Sequence, residues 1–447
     1  MNNKIVLKQL SLNGFRGFSE NADIEFNEKL TVLIGNNGSG KSSILDAIDI
    51  FLMYFRYQIT NRELFEFPVR LEKKDKNENV TNGKESYENE LFFELHYTEN
   101  KQFINHEIGI SASAKISTSD NISNFTDFED PYGVFAGLFN DFLQSVQETK
   151  IGDSNNYNLP ILVYYGTDFL ETKVNFTEEE RLHIEHFDTY IDSLEAKDFN
   201  FKQFFLLLDK QQKIKLQNPD KQNIFLAAIE KAITFILSDE DTQYENLRIE
   251  WGEKYDELLV DKMNTYSKVT LSINQLSSGE KSLIALTADL VRRLYIANLK
   301  NSYPLKGHGI VLIDEIDLHL HPKWQRKVVP KLMETFPNIQ FVVTTHSPLV
   351  LEKVQPQNIR LLENNQIIIP DFHPKGREIG EILEELMNEN AVSIQKEVDK
   401  YFELISQNKL NEALSYKNDV LLKLTDEENP IFYQAEAMLK MKKLQKI

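Results

Sequence analysis

Residues 35–42 read GNNGSGKS and fit the pattern G-x-x-x-x-G-K-[ST], with Gly35, Gly40, Lys41 and Ser42 at its fixed positions. Asn36, Asn37, Gly38 and Ser39 fill the interval with residues that suit tight turns. Glycine tolerates dihedrals that aim successive N–H groups inward, where they surround an anion. In such a loop the lysine ammonium reaches terminal phosphates and the serine hydroxyl ligates Mg2+, which is the chemistry of nucleotide binding. Residues 30–34 (LTVLI) predict a strand before the loop, and residues 41–57 a helix after it. Ser42 and Ser43 would thus open a helix whose positive end also favours phosphate.

Residues 309–322 read GIVLIDEIDLHLHP. The apolar run predicts a buried parallel strand, and it ends in Asp314 and Glu315. One carboxylate at such a strand end can hold Mg2+ beside a phosphate loop, and its neighbour can polarise the attacking water. Phosphoryl transfer depends mainly on such positioning and charge neutralisation. Ser42 and Asp314 are therefore the expected metal ligands, and Glu315 the expected base. Asp317 reads as part of a loop next to the nucleotide. His319 and His321 form a His-x-His pair without cysteine or a clear third ligand, too little for zinc.

Residues 338–348, NIQFVVTTHSP, predict a second buried strand ending in His346, one helix beyond Asp314 and Glu315. An imidazole there can hydrogen-bond a γ-phosphate. Pro330 lies in the intervening helix, and an interior proline costs about 3 kcal/mol or forces a kink, so a bend is expected. Residues 276–282, LSSGEKS, place Ser277, Ser278 and Gly279 at the start of an amphipathic stretch. Alone this is a well-capped helix whose start also suits an anion.

These residues sit in a chain of 447, enough for two or three domains or one large domain with insertions. At 41% hydrophobic and 27% charged, the composition is that of a soluble globular protein. No run of 18 apolar residues predicts a membrane span. The first residues, MNNKIVLKQLSL, run into a strand-like alternation unlike a secretory signal, and a cytoplasmic location is expected. The lack of cysteine excludes disulfides, thiolate metal sites and cysteine nucleophiles. A net charge of −19 disfavours long-range DNA steering, because nonspecific DNA binding relies on basic residues neutralising phosphates.

Residues 4–34 read as two or three short strands. Residues 72–90 are polar and carry Asn82-Gly83, which predicts a loop or hairpin tip. LFFELHY and HEIGISASAKI alternate as in an antiparallel hairpin, and LPILVYYG (159–166) reads as a buried strand. Residues 177–240 turn helical and polar, an inserted helical pair or arm broken near Pro219. Strands return at LRIEWGEKYDELLVDKM and KVTLSINQ, and strand, helix and strand alternate after 302. From 378 onward the chain is helical and charged, with a break at Pro430.

Taken together, and in their order along the chain, the four pieces resemble the ABC-type ATPases of the SMC, Rad50, RecF and OLD group, over residues 1–60 and 265–365. LKQLSLNGFRGFSE is similar to the group's first strands, whose arginine (here Arg16) lies near the nucleotide. LSSGE looks like the ABC signature, with Ser278 where transporters usually have glycine. The resemblance implies ATP with Mg2+, and a head-to-head dimer with two ATPs between the subunits. Ser277 and Gly279 would touch the second subunit's γ-phosphate, Asp317 would sit in the D-loop and His346 in the switch loop. The segment after the first helix diverges, so no residue is assigned to the glutamine loop. The chain also departs from the group. The stretch between residues 60 and 265 lacks the sustained heptads of SMC and Rad50. The region after His346 lacks the Asp-x-Asp pair of a Toprim nuclease, and no HNH-like cluster is apparent.

The tail from Gly376, GREIGEILEELMNENAVS and onward, is similar to the C-terminal helices of the PtuA-type ATPases of Septu and retron antiphage systems. That family implies an HNH nuclease partner. The expectation is an α/β fold built on an ABC-type ATPase head: a mixed sheet with helices, an antiparallel subdomain, a helical insertion or arm and a C-terminal helical region. The expected segments are an N-terminal lobe (1–170), the helical insertion (171–245), a lobe with signature, Walker B and switch histidine (246–370), and a helical end (371–447). The implied function is an ATP-hydrolysing switch, homodimeric or larger, that controls the nuclease, with nucleic acid reached through the partner. A RecF- or Rad50-like DNA-repair clamp, or a scaffold sequestering a toxic effector, would use the same nucleotide residues.

Overall fold

The computed structural model describes residues 4–60, 69–72, 86–99, 102–115, 125–129, 137–139, 141–142, 159–167, 186–194, 201–252, 257–264, 267–299, 301–363 and 366–370, with 400–401, 404, 409 and 415–417. Met1–Lys375 form one compact unit and Gly376–Ile447 a second. Most of the expected C-terminal helices, and Pro430, lie outside the described residues.

The first unit begins with β1 (Lys4–Asn13), β2 (Ala22–Glu25), β3 (Leu30–Gly35) and α1 (Lys41–Thr60), followed by β4 (Val69–Glu72), β5 (Ser86–Glu99), β6 (Gln102–Lys115), β7 (Phe125–Glu129) and β8 (Ile161–Tyr165). The helices α2 (Phe201–Gln217) and α3 (Ile224–Leu237) come next, then β9 (Thr242–Glu250), β10 (Glu257–Asn264), β11 (Lys268–Ser272) and α4 (Ser278–Ala297). The chain continues through β12 (Gly309–Ile313), α5 (Pro322–Gln325), α6 (Val328–Thr335), β13 (Ile339–Thr345), α7 (Pro348–Leu351), β14 (Ile359–Glu363) and β15 (Gln366–Ile368).

Every residue of β3, β8, β12 and β13 is buried, as continuous apolar runs require. They form the centre of a six-stranded sheet in the order β15-β14-β3-β13-β12-β8, parallel except at β15. The register pairs Ile34 with Thr345, Val343 with Ile313, and Ile313 with Tyr165. Four strand ends therefore meet along one edge, the place where open α/β sheets hold ligands.

A second six-stranded sheet, β2-β1-β5-β6-β7-β4, is antiparallel throughout. Its β5–β6 hairpin runs in register from Ser86↔Lys115 to Glu99↔Gln102. The expected loop thus ends earlier than residue 90, because Tyr87, Asn89 and Leu91 already alternate into the core. The two sheets are joined by Gln340 of β13. β1 slips register against β5 between Leu7 and Gln9, and the buried Gln340 amide accepts the Leu7 N–H at 2.8 Å and donates to the Leu7 carbonyl at 2.9 Å. A buried backbone group left unpaired would be costly, so this side chain acts as a substitute rung.

A three-stranded sheet, β11-β10-β9, lies beside the helical pair. The described helices form a packed pair. Phe225, Ala228, Ile229, Ala232, Ile233 and Ile236 recur at helical spacing along one buried face of α3, which packs on α4, β9 and α6. Asn223 caps the start of α3, accepting the Leu226 N–H at 3.0 Å. Lys331 of α6 caps its end, donating to the carbonyls of Phe235 at 2.8 Å and Ile236 at 3.1 Å.

The expected bend at Pro330 appears four residues earlier. The helical stretch divides at Arg326–Lys327, and Pro330 is the third residue of α6. In that first turn an N–H has no intrahelical acceptor, so the proline removes no bond there.

Candidate nucleotide-binding site

The loop from Gly35 to Gly40 turns through left-handed backbone at Gly38 (φ 79°) and Gly40 (φ 98°). Gly40 is required twice over, because a Cβ there would lie 2.7 Å from the Phe18 ring. Phe18 is itself fixed by a bridge to Phe15. The Ser39 N–H closes the turn on the Asn36 carbonyl at 3.1 Å, and α1 starts with the Ile44 N–H on the Gly40 carbonyl at 3.0 Å. Lys41 is buried, and its ammonium donates to the carbonyls of Gly35 (2.7 Å) and Asn36 (2.9 Å). Burial lowers its pKa from the usual lysine value, while the carboxylates of Asp314, Glu315 and Asp317 pull it back up. Three acidic residues about 275 positions away in sequence thus bear on this one ammonium.

The acidic cluster is shaped by two threonines at the end of β13. The Thr344 hydroxyl donates to Asp314 and accepts the Glu315 N–H at 2.7 Å. The Asp314 N–H donates to the Tyr165 carbonyl at 2.8 Å, and the Ile316 N–H to the Thr344 carbonyl at 3.0 Å. Glu315 has a φ of 50°, a left-handed conformation uncommon outside glycine. Such strain concentrates where a side chain is re-aimed for function. The Thr345 hydroxyl donates to Asp317 at 2.5 Å, and the same carboxylate oxygen accepts the His346 N–H at 3.3 Å. Gln325 completes the tie. Its amide donates to the carbonyls of Asp317 (3.3 Å) and Leu320 (3.0 Å), and its oxygen accepts the Ser347 hydroxyl at 2.9 Å.

Arg16 also has a left-handed backbone, φ 48°. Its guanidinium pairs with Asp46, on α1 one turn beyond Ser42 and Ser43, and lies 5.5 Å from the Phe15 ring centroid. The Tyr164 phenol lies near the same Asp46. Burial, with Asp46, Asp314 and Asp49 nearby, pushes that phenol's pKa well up.

The Ser277–Gly279 stretch forms the start of α4. Ser277 is the N-cap, and its N–H and hydroxyl both donate to Glu280 at 2.7 Å. The other Glu280 oxygen accepts from Lys262 at 2.7 Å and from the Tyr244 phenol. Burial alone would raise the Glu280 pKa, but these donors bring it down to about 2. Ser277 and Ser278 are exposed, whereas Gly279 is buried against the loop that follows Asp317. A Cβ on Gly279 would come within 2.6 Å of the His319 carbonyl.

The structure therefore brings Lys41, Asp314, Glu315, Asp317 and the His346 backbone together, with Arg16, in the connection between β1 and β2, paired to Asp46 of α1. It sets Ser277, Ser278 and Gly279 at a separate surface, tied in through His319. His321 accepts the Lys323 N–H at 3.3 Å and caps α5. Sequence reasoning missed Thr344, Thr345, Gln325, Asp46 and Tyr164. The two threonines did leave a signal, as hydroxyls ending an otherwise apolar strand. Among the described residues no group of three His, Cys, Asp or Glu side chains could hold a metal. Mg2+ is usually bound through one or two carboxylates with substrate phosphates and water, and Asp314, fixed by Thr344, and Ser42, at the start of α1, are donors of that kind.

A family model described as "AAA domain, putative AbiEii toxin, Type IV TA system" matches residues 30–352. The chain is 29% identical to the retron Ec83 probable ATPase of Escherichia coli, over 90% of this chain and 79% of that protein. It is 28% identical to the retron Vc95 probable ATPase of Vibrio cholerae serotype O1 biovar El Tor, over 86% and 79%. It is 23% identical to the Septu protein PtuA of Bacillus thuringiensis, over 94% of each. The chain thus belongs to the family described as AAA domain, putative AbiEii toxin, Type IV TA system.

Proposed function

We propose that this chain is the ATP-hydrolysing switch subunit of an antiphage defence complex, whose nucleotide-driven dimerisation controls a partner nuclease of the HNH type. The observation that carries the reading is the register of β3, β13 and β12, which sets the end of the strand that leads into the glycine loop and Lys41 beside the strand end that carries Asp314 and Glu315. The names of the retron and Septu relatives support the defence setting.

The loop amides and Lys41 bind the β- and γ-phosphates, with the ammonium exchanging loop carbonyls for phosphate oxygens. Bound Mg2+, held by Ser42 and Asp314, would neutralise phosphate charge. Thr344 fixes Asp314 and the Glu315 backbone, so that the Glu315 carboxylate takes the proton from the attacking water. His346, held through its backbone to Asp317, senses the γ-phosphate. Exposed Ser277 and Ser278, with Gly279, close on the nucleotide of a second subunit. Closure and reopening are passed to the bound nuclease.

Affinity capture of the tagged chain from its host, with ATP and Mg2+ present, tests the reading. A stoichiometric nuclease whose cutting changes with nucleotide supports it. Capture of DNA without a protein partner would replace it with a DNA clamp.

A further inference from the structure

Behind the acidic cluster, the strand that ends at Tyr165 and the helix that begins at Ser278 are linked by a buried polar knot. The Tyr165 carbonyl accepts the Asp314 N–H at 2.8 Å, while its phenol donates to Asp289 of α4 at 2.8 Å. The second Asp289 oxygen accepts Arg292 through Nε (3.0 Å) and a terminal nitrogen (2.7 Å), and Arg293 Nε donates to the first at 2.7 Å. Arg293 also donates to the carbonyls of Thr189 (2.6 Å) and Ile191 (2.9 Å). Tyr165, Asp289, Arg292 and Arg293 are each 5% exposed or less. Buried charge of this kind is weak evidence for stability, since well-packed apolar groups often do as well. What such a network can provide is one well-satisfied arrangement in which a small shift leaves a buried partner unpaired.

The placement gives that arrangement a direction. Asp289 lies eleven residues past Ser278 on one helix, about 16 Å along its axis. Towards the Ser278 end of the helix, Tyr165, Ser282, Leu286, Asp314, Glu315 and Leu318 line a shared cavity. We propose that Tyr165 is a positioning residue that couples Asp314 to the signature helix, so that Ser277–Gly279 closing on one ATP is registered at the water-activating residues of the same chain. The two composite sites of the dimer thereby hydrolyse cooperatively. The inference rests on the dimeric switch proposed above.

The test is Tyr165→Phe, which removes one hydroxyl, compared with Thr189→Val. Thr189 donates to the Arg293 carbonyl at 3.0 Å and so joins the same knot through Arg293. Binding of a fluorescent ATP analogue and steady-state hydrolysis across ATP concentration are measured for both, with thermal melting as the stability control. Tyr165→Phe is expected to keep nucleotide affinity within about two-fold, lose about ten-fold in kcat, and bring the Hill coefficient to about 1. Thr189→Val is expected to lower Tm and leave the Hill coefficient unchanged. Unaltered kcat and cooperativity in Tyr165→Phe overturn the inference alone. An equal loss of cooperativity in Thr189→Val also overturns it, by making the knot merely structural. An unmutated chain that neither hydrolyses ATP nor dimerises overturns the switch itself, and this inference with it.

Discussion

At the scale of single residues, Thr344 has the widest reach, because one hydroxyl holds both Asp314 and the Glu315 backbone. Thr344→Val keeps the shape and deletes both bonds. It should lower kcat about ten-fold or more while leaving ATP affinity close to that of the unmutated chain, as read by hydrolysis and equilibrium binding. Glu315→Gln should go further, lowering turnover by about 10² to 10⁴ with binding retained. If that variant turns over at the unmutated rate, Glu315 is not the base. Gly40→Ala meets both a left-handed φ and the Phe18 ring, and should abolish nucleotide binding in the same titration. The glycines, Lys41 and the acidic pair were legible because their chemistry demands fixed types at fixed spacing. Thr344, Thr345 and Gln325 were not, since a hydroxyl or amide becomes a partner only when register brings a carboxylate or carbonyl opposite.

At the scale of elements, α4 is the clearest case. Its capping box, S-S-G-E, was readable as a helix start, but the Glu280 contacts with Tyr244 and Lys262 come from β9 and β10 and depend on tertiary structure. Glu280 has its pKa lowered from 4.5 to about 2, so its contribution to stability is full above pH 4.5 and is lost as pH falls toward 2. Glu280→Gln should remove on the order of 3 kcal/mol at neutral pH and flatten the acid limb in urea unfolding measured from pH 5 to 2. An acid limb as steep as the unmutated one would show that the charge of Glu280 does not set it. The helical pair shows the opposite limit of legibility. Its apolar stripe was visible, but periodicity alone could not say that the stripe packs on α4 and α6. Pro330 was misplaced as a kink because its position within the helix depends on where α6 starts, and α6 starts at Val328 without a side-chain cap to mark it in the sequence.

At the scale of the whole molecule, Met1–Lys375 form one compact unit, in which β8 pairs with β12 across about 150 residues of sequence. Strand order in a parallel sheet is set by crossovers, which sequence periodicity does not encode. The α/β class and the antiparallel β5–β6 hairpin were legible, whereas the Gln340 rung joining the two sheets was not, being one polar side chain in an apolar strand. The central claim also lives at this scale: nucleotide bound at Lys41 closes two chains on each other through exposed Ser277 and Ser278. Sedimentation velocity of Glu315→Gln, with and without ATP and Mg2+, tests it most directly. The account expects a monomer or loose assembly without nucleotide and a stable dimer or multiple of it with nucleotide, lost when Ser277→Arg is added. A species whose size ignores ATP, while bound ATP is present in stoichiometric amount, would contradict it.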